Sequence, residues 1–349
     1  MLTTITRTAS EIPSSFFPTP HSMLPHSMAG ASYSFTLPIP AANQNGVTQY
    51  AIAYIIPTTT DVNVELTVGT WNEKKLIPVK PGSSVNYFAV AYTTKLTDPP
   101  TFNLNGDMDF VVISAVSCLP TSNGKCDYAA FMLTGVCDSN KVDWHPTDLS
   151  TSRKLSVTPN VPSNVCASTV KIYDDSNTVT DQITNASTMY SVAQTFGDRV
   201  ILSTSFPIAP IRIGSLAASG DAFLTGLAST TQFVTGTTHF MTRTEKATVY
   251  IVLVNANQGA PLTISLDGKS VAFTPATLKD SWSDYVFTNI AVTSVNPPSL
   301  HTLDVSSGKY VFYVTGSQKD GHAYGYYSAF NKLKDFEPSV TVMSALSFL

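Results

Sequence analysis

The sequence predicts an all-β protein of tandem β-sandwich-like units with internal repeats and little helix. Three observations predict it: strict alternation of apolar and polar residues, an Asp-Gly turn between alternating runs, and a recurring order of glycine, apolar strand and aromatic strand. No segment places apolar residues at i, i+3, i+4 and i+7 through three helical turns. We therefore expect low helix content.

The composition indicates a chain that folds around sizeable apolar cores. Of its 349 residues, 43% are hydrophobic and 13% are charged, whereas charged residues make up about 25% of a typical soluble protein. Disordered chains show the opposite balance, with few apolar and many charged residues. One domain usually holds ~100–200 residues, so this length indicates more than one unit.

Two hairpins carry the strand prediction. In Val62–Val68 apolar and polar residues alternate strictly, as in a half-buried strand, and residues 76–79 return after a turn. Further along, residues 262–273 alternate on both sides of Asp267-Gly268. Asp-Gly predicts a tight hairpin turn because both residues accept positive φ angles.

A longer pattern suggests internal repeats. A glycine turn, an apolar β-rich strand, a loop of small residues and a strand rich in aromatic residues follow one another after Gly106, Gly197 and Gly308. These glycines lie about 100 positions apart, the length of a β-sandwich module. The middle occurrence lacks a clear hairpin before it.

The repeats divide the chain into four predicted parts. Residues 1–31, which contain four prolines, form an extended or poorly ordered arm. Residues 32–165 form a first β-sandwich-like unit with the cysteines, residues 166–245 a middle β unit, and residues 246–349 a third β-sandwich-like unit. Whether the middle unit is an independent domain stays open.

The charge pattern argues against a nucleic acid partner, and the length of the apolar runs argues against membrane insertion. The net charge is −4 and the basic residues are scattered, so no basic stripe is available to neutralise a run of phosphates, and we expect no nucleic acid partner. The longest apolar runs, residues 50–56 and 249–254, fall short of the ~20 residues that a membrane-spanning helix needs, so we expect no membrane insertion. The first residues lack the apolar core of a signal peptide, and we identify no signal peptide in this chain.

Four cysteines lie within one short region and predict disulfides. Cys118, Cys126, Cys137 and Cys166 permit three pairings. We favour Cys118–Cys126 and Cys137–Cys166 because each joins sequence neighbours, and isolated buried thiols are the alternative. Asn185 begins an Asn-Ala-Ser sequon and is a candidate glycosylation site.

No catalytic, metal or cofactor site is predicted. The chain contains no Gly-x-Ser-x-Gly, no His-Glu-x-x-His and no phosphate-binding GxxxxGK[ST] string. Its histidines are far apart and lack ligand-like spacing, so each is expected to be a surface or structural residue. They stand at positions 21, 26, 145, 239, 301 and 322.

One polar segment could offer oxygen ligands to calcium. Asn103, Asn105, Asp107 and Asp109 alternate along the chain. An EF-hand loop has glycine at its sixth position, whereas Met108 stands there in this segment. We therefore favour a polar turn that leads into a strand.

Three tyrosines near the end of the chain could form a platform for sugars. Tyr324, Tyr326 and Tyr327 lie within one short motif, and Trp282 is a further candidate for a sugar contact. Aromatic residues favour strands and pack across them, so core or cross-strand packing is the simpler interpretation.

Several of these segments resemble the N-terminal domain of the IgGFc-binding protein family. The matching stretches are GDRVILSTSFPIAPIRIGS at 197–215, DAFLTGLASTTQFVTGTTHFMT at 221–242, SGKYVFYVTGSQKDGHAYGYYSAF at 307–330 and VVISAVSCLPTSNGKCDYAAFML at 111–133. The resemblance extends over about residues 50–330 and consists of strands and turns rather than distinctive residues.

The resemblance implies a secreted, disulfide-containing module of mucus or extracellular-matrix proteins. It carries over no residue for Fc contact. We expect a non-enzymatic extracellular binding, adhesion or matrix module without a cofactor, whose partners are protein or glycan ligands. The alternative is a lectin-like or glycosidase-associated carbohydrate-binding sandwich. Neither the ligand nor the oligomeric state follows from the sequence.

Overall fold

The prediction of an all-β fold with little helix is confirmed. The computed structural model describes residues 3–4, 29–37, 40, 49–58, 60–68, 74–83, 86–91, 101–120, 126–133, 143–148, 152–159, 168–174, 179–184, 190–192, 199–204, 208–215, 222–254, 261–277, 284–317 and 323–328. Twenty-four strands lie in these ranges, and the helical segment described among them is one 3-10 turn, Thr230–Gln232.

The strands fall into three groups along the chain. The first group contains β1 (Thr3–Thr4), β2 (Gly30–Thr36), β3 (Ala51–Pro57), β4 (Val62–Val68), β5 (Lys74–Val79), β6 (Tyr87–Ala91), β7 (Thr101–Pro120) and β8 (Cys126–Met132). The middle group contains β9 (Asp143–Asp148), β10 (Ser152–Pro159), β11 (Ser168–Asp174), β12 (Val179–Thr184), β13 (Tyr190–Val192), β14 (Arg199–Thr204), β15 (Ile208–Ser215) and β16 (Ala222–Gly226). The last group contains β17 (Val234–Thr242), β18 (Lys246–Val254), β19 (Ile264–Leu266), β20 (Lys269–Ser270), β21 (Ala276–Thr277), β22 (Tyr285–Thr293), β23 (Ser299–Ser317) and β24 (Ala323–Ser328).

One long strand organises the first sheet. β7 pairs through its first half with β2 and β4, and through its second half with β3 and β8. β5 extends the sheet beyond β4, and β6 and β1 extend it beyond β3, which gives the order β1-β6-β3-β7-β4-β5. All of these pairs are antiparallel.

The last sheet repeats this pairing scheme around β23. The first half of β23 pairs with β17 and β19, and its second half pairs with β18 and β24. Its order, β21-β22-β18-β23-β19-β20, matches that of the first sheet position by position.

The middle group follows the same scheme with the long strand divided. β14 pairs with β9 and β11, β15 pairs with β10 and β16, and Pro207 stands between β14 and β15 in the sequence. The result is two four-stranded sheets, β13-β10-β15-β16 and β12-β11-β14-β9.

Hydrogen bonding groups the strands differently from the predicted domain limits. β9 and β10 lie before residue 166 but pair with middle strands, and β17 lies before residue 246 but pairs with β23. The predicted domains themselves stay a prediction.

The glycine of the repeated pattern marks an interruption within a strand. On β7, the positions that pair with β2 skip from Asn105 to Phe110, and Gly106 lies in the gap. On β23, the positions that pair with β17 skip from Val305 to Tyr310. Gly106 and Gly308 thus lie inside the long strands β7 and β23, where the sequence pattern predicts a glycine turn before an apolar strand.

Each eight-stranded sheet curls so that its two halves face each other. In the first sheet, the ring of Phe88 on β6 lies 5.5 Å from that of Phe102 in the first half of β7. In the last sheet, Phe240 on β17 lies 5.3 Å from Phe312 in the second half of β23. These aromatic pairs join opposite halves, so the curl encloses an apolar core in each sheet.

The middle group packs against both neighbours. Ile211 and Leu224 join the core of the first sheet, while Ile172 and Leu202 pack with residues of the last sheet. β16 contacts both β8 and β24, so the final strands of the three groups lie together.

Glycines covered by aromatic rings make this junction close. Phe223 lies directly across from Gly214 on the neighbouring strand, and a methyl group at Gly325 would stand 2.1 Å from the Phe223 ring. Such rings shield the exposed backbone of strand glycines. The guanidinium of buried Arg212 lies 5.7 Å from the Phe223 ring centre and 5.4 Å from that of Tyr313.

Candidate functional site

Three exposed aliphatic side chains lie at one end of the last sheet. Met241, Val295 and Leu300 are 48%, 87% and 68% exposed. Met241 on β17 pairs directly with Leu300 on β23, and Val295 lies in the turn that leads from β22 into β23. We call these three residues the aliphatic rim.

A buried hydrogen-bonded network lies directly behind the rim. Nε2 of His301 lies 2.9 Å from the hydroxyl of Thr242 and 2.9 Å from that of Ser294. The two hydroxyl groups are themselves 2.5 Å apart. All three side chains are buried.

Each residue of the network neighbours a residue of the rim. Thr242 follows Met241, His301 follows Leu300, and Ser294 precedes Val295. Successive side chains of a strand point to opposite faces, so Thr242 and His301 point inward while Met241 and Leu300 project outward. In the turn beside them, Ser294 is buried and Val295 is exposed. The network therefore fixes the backbone that carries the rim.

Asp267 anchors the network to a hairpin turn. Its carboxylate accepts a hydrogen bond from Nδ1 of His301 at 2.8 Å and another from the backbone N–H of Thr302 at 2.8 Å. The Asp267-Gly268 turn predicted from sequence is confirmed: Asp267 has φ 52° and Gly268 has φ 74°. The Phe240 ring stacks on the His301 ring at 5.2 Å.

The surroundings of Asp267 stabilise its charged form. Burial alone would raise its pKa, but the hydrogen bonds from His301 and Thr302 and the positive charge of Lys269 outweigh burial and lower the pKa. The carboxylate therefore stays ionised and accepts the hydrogen bond from Nδ1 of His301. In the neutral imidazole the one lone pair of Nε2 then accepts from one of the two hydroxyl groups, and the other hydroxyl donates to the first.

The side chains of Ser294, His301 and Asp267 contact one another as Ser–His–Asp, like the residues of a hydrolase triad. Their burial and hydrogen bonding, however, are those of a structural network. The Ser294 side chain is only 4% exposed, and its hydroxyl is shared with Thr242. Its backbone N–H already donates to the carbonyl of Glu245 at 2.8 Å. The arrangement ties three segments together and gives a substrate little access to the serine.

This network could not be recognised from the sequence. Its members are distant in the sequence, and their types match no motif. The Asp-Gly signal located the hairpin turn but not the partner of its carboxylate. Of the histidines, which the sequence predicts to be surface or structural residues, His301 is buried in this network, His145 lies on β9, and the exposed His239 lies 3.2 Å from the Thr302 hydroxyl. His21, His26 and His322 lie outside the described residues.

Two of the three tyrosines at positions 324–327 pack against the end of β17, the strand that carries Met241. The hydroxyl of Tyr326 accepts a hydrogen bond from the backbone N–H of Met241 at 3.0 Å and also contacts its carbonyl oxygen. Tyr324 accepts from the N–H of Arg243 at 3.2 Å. Tyr324 and Tyr327 are buried. The packing interpretation thus describes this motif better than a sugar platform.

Trp282, the other residue considered for sugar contact, lies outside the described residues. Across the described part of the chain, the large hydrophobic side chains that are exposed are all aliphatic. They are Ile56, Leu76, Met108, Met241, Val295 and Leu300.

The candidate calcium segment lies at the interruption of β7. Asp107 accepts hydrogen bonds from the backbone N–H and the side-chain amide of Asn63, both at 2.9 Å, and these bonds lower its pKa. Asn103 is buried, whereas Asp109 is exposed. Within the described ranges, no three His, Cys, Asp or Glu side chains gather into a possible metal site.

The covalent sites predicted from sequence remain predictions. Cys118 is fully buried, and the strands that carry Cys118 and Cys126 are neighbours. Cys137, Cys166 and Asn185 lie outside the described residues. None of the helical segments described has the length and apolarity that crossing a bilayer requires.

Comparisons with known proteins give no assignment. No protein-family model matches the chain, and no curated protein matches it. Among solved structures, it is similar to a chain described under "Structural insight into host cell surface retention of a 1.5-MDa bacterial ice-binding adhesin", with 11% identity, 80% of this chain and 85% of that chain covered, and a TM-score of 0.13. A likeness this weak carries no argument about fold or function.

Proposed function

We propose that this chain is a non-enzymatic extracellular binding or adhesion module that engages a protein partner through the aliphatic rim. One observation carries the proposal: Met241, Val295 and Leu300 are all exposed, and the buried hydrogen-bonded network lies directly behind them. Single exposed apolar residues are ordinary on protein surfaces, whereas a group of them indicates an interaction site.

Rigidity supports a binding role for this surface. A side chain held on a fixed backbone loses less conformational entropy when a partner covers it. The hydrogen bonds of His301 to Thr242, Ser294 and Asp267 hold the backbone at each rim residue. The rim is thus organised before any partner arrives.

The chemistry of the rim favours protein over sugar as the partner. Sugar rings bind by stacking on exposed aromatic faces, whereas the exposed large apolar side chains of the described residues are aliphatic. The extracellular setting is supported by the resemblance to the IgGFc-binding protein N-terminal domain and by the predicted disulfides at Cys118, Cys126, Cys137 and Cys166.

Binding assays with charged variants test the proposal. The purified chain is measured against immobilised mucin, collagen, fibronectin and immunoglobulin G, and on a glycan array. Leu300→Glu should weaken binding to a protein of this panel at least tenfold, because it places a charge in the apolar contact. Leu76→Glu is the matched control, since Leu76 is 64% exposed on β5 of the first sheet.

Two results would contradict the proposal. One is protein binding that survives both Leu300→Glu and Val295→Glu. The other is binding confined to the glycan array, which would favour the lectin-like alternative.

A further inference from the structure

The shared pairing scheme gives positions of the last sheet counterparts in the first. Phe35 on β2 and Phe240 on β17 both point into the core of their own sheet, and both pair with the first half of the long strand. Successive side chains of a strand point to opposite faces. The residues that follow them, Thr36 and Met241, therefore lie at corresponding positions on the outer faces of the two sheets.

This outer position is buried in the first sheet and exposed in the last. Thr36 pairs with Thr101 on β7, and the two residues are 1% and 0% exposed. The corresponding pair, Met241 with Leu300, is 48% and 68% exposed. The aliphatic rim thus lies on a surface whose counterpart in the first sheet is covered.

The contacts between the groups show what lies against this surface. β10 of the middle group contacts β2, and β18 of the last group contacts β9. β2 and β9 are counterparts, because each pairs with the first half of the long strand or with β14, which takes its place. β10 and β18 are also counterparts, because they pair with β15 and with the second half of β23. The chain therefore forms the same kind of junction twice.

The first sheet contains the strand that corresponds to β10 and β18. β3 pairs with the second half of β7 as β18 pairs with the second half of β23. Ile56 on β3 pairs with Val111, and Val252 on β18 pairs with Val311. In both sheets this pair lies just after the interruption of the long strand. Ile56 and Val252 therefore hold corresponding positions.

These two positions also differ in exposure. Val252 is 0% exposed and packs in one apolar cluster with Ile172 and Leu202 of the middle group. Ile56 is 43% exposed, and Tyr54, on the same face of β3, is partly buried. The first sheet thus exposes the face that the last sheet uses to contact its neighbour.

We propose that the aliphatic rim of one copy binds the β3 face of the first sheet of a second copy, so that copies associate head to tail. The proposal rests on the proposed function of the rim and names its partner as a second copy of this chain. The last sheet exposes one half of the repeated junction and the first sheet exposes the other. A second copy supplies the half that each lacks.

The apolar surface of the described ranges agrees with this arrangement. Of the six exposed large hydrophobic side chains, four lie on the two surfaces: Ile56, Met241, Val295 and Leu300. Because two different surfaces meet, the contact is heterologous, and repeated contacts of this kind build rings or open filaments.

Sedimentation velocity of charged variants tests the two surfaces separately. The unsubstituted chain should form assemblies larger than a monomer. Leu300→Glu and Ile56→Glu should each raise the dissociation constant at least about tenfold, because each places a charge in an apolar contact. Leu76→Glu is the matched control, since Leu76 is 64% exposed on β5, outside both surfaces, and it should assemble like the unsubstituted chain.

An equal mixture of the two variants gives the sharpest measurement. The Leu300→Glu chain keeps its β3 face and the Ile56→Glu chain keeps its rim, so together they can form one intact contact. The mixture should therefore form a one-to-one complex and nothing larger. A mixture that stays monomeric would overturn the proposal, as would a monomeric unsubstituted chain or assembly that survives either variant.

The result also separates this proposal from the function on which it rests. If the chain stays monomeric but binds a protein of the panel in a manner that Leu300→Glu weakens, the rim has another protein partner and only the head-to-tail association is wrong. If Leu300→Glu changes neither self-association nor binding to the panel, the proposed function fails as well.

Discussion

Nδ1 of His301 lies 2.8 Å from a carboxylate oxygen of Asp267, and this contact joins the turn of one hairpin to the start of the longest strand of the last sheet. The pair makes the end of the sheet a single rigid unit. His301 also holds Thr242 and Ser294, so one imidazole contacts three separate segments.

Replacing His301 by alanine should therefore destabilise the fold. The substitution removes a partner of the buried hydroxyl groups of Thr242 and Ser294, and a buried polar group left unsatisfied costs about 1–3 kcal/mol. Urea unfolding followed by circular dichroism measures the change. His239→Ala is the matched control, because His239 is exposed on the adjoining strand, and it should change stability by less than about 0.5 kcal/mol. Equal effects of the two variants would refute the structural role of His301.

Asp267 should contribute to stability at neutral pH, and this contribution should disappear in acid. Its pKa is lower in the folded protein than its ordinary value, so the unfolded chain binds the proton more readily. The contribution is fully present above the ordinary pKa of about 3.9 and is lost as the pH falls through the lower folded value. Unfolding measured at a series of pH values should show Asp267→Asn least stable relative to the unsubstituted protein at neutral pH.

The gap between the two proteins should narrow as the pH falls below about 4. In the His301→Ala background the same substitution should show a weaker pH dependence, because a main hydrogen-bond donor to the carboxylate is gone. A gap that is constant with pH would exclude a titrating role for Asp267.

The local features of this fold could be predicted from sequence, and its long-range pairing could not. The β4–β5 and β19–β20 hairpins follow from two-residue alternation and turn chemistry within a few residues, and both are confirmed. The four partners of β7 follow from contacts such as Tyr33 with Leu104, which local patterns do not specify.

The candidate site could not be predicted from the sequence for the same reason. Thr242 and His301 are 59 positions apart, and Asp267 and His301 are 34 apart. Only the strand pairing brings them together, and a buried histidine has the same sequence signature as an exposed one. The aliphatic rim could not be identified either, because strand alternation does not say which face meets solvent.

Substitution of Arg212 should have a large effect on the free energy of unfolding, because this residue lies at the junction between the middle and last groups. Its fully buried side chain lies near the rings of Phe223, Tyr250 and Tyr313, each within 6 Å. Arg212→Ala removes both the cation–π contacts and the volume, and should cost about 2–5 kcal/mol of unfolding free energy. Arg212→Met should cost less, because an apolar chain of similar length fills the space without a buried charge.

Thermal unfolding of the two Arg212 variants provides the measurement. Equal destabilisation by alanine and methionine would mean that the charge, and not the packing, is the main contribution of Arg212. A neutral alanine variant would contradict the described burial altogether.

Gly325 should be intolerant of even one added methyl group. A Cβ atom at this position would lie 2.1 Å from Cδ2 of Phe223, well inside contact distance. Gly325→Ala should therefore destabilise the junction of the final strands by about 1–3 kcal/mol, the usual cost of overpacking.

The matched comparison is the same change made with Phe223→Leu, a smaller and more adaptable side chain. In that background Gly325→Ala should cost clearly less, because the clashing ring is absent. Urea unfolding of the four proteins gives the coupling free energy directly. A cost for Gly325→Ala that does not depend on residue 223 would place the strain elsewhere and contradict the contact between β16 and β24.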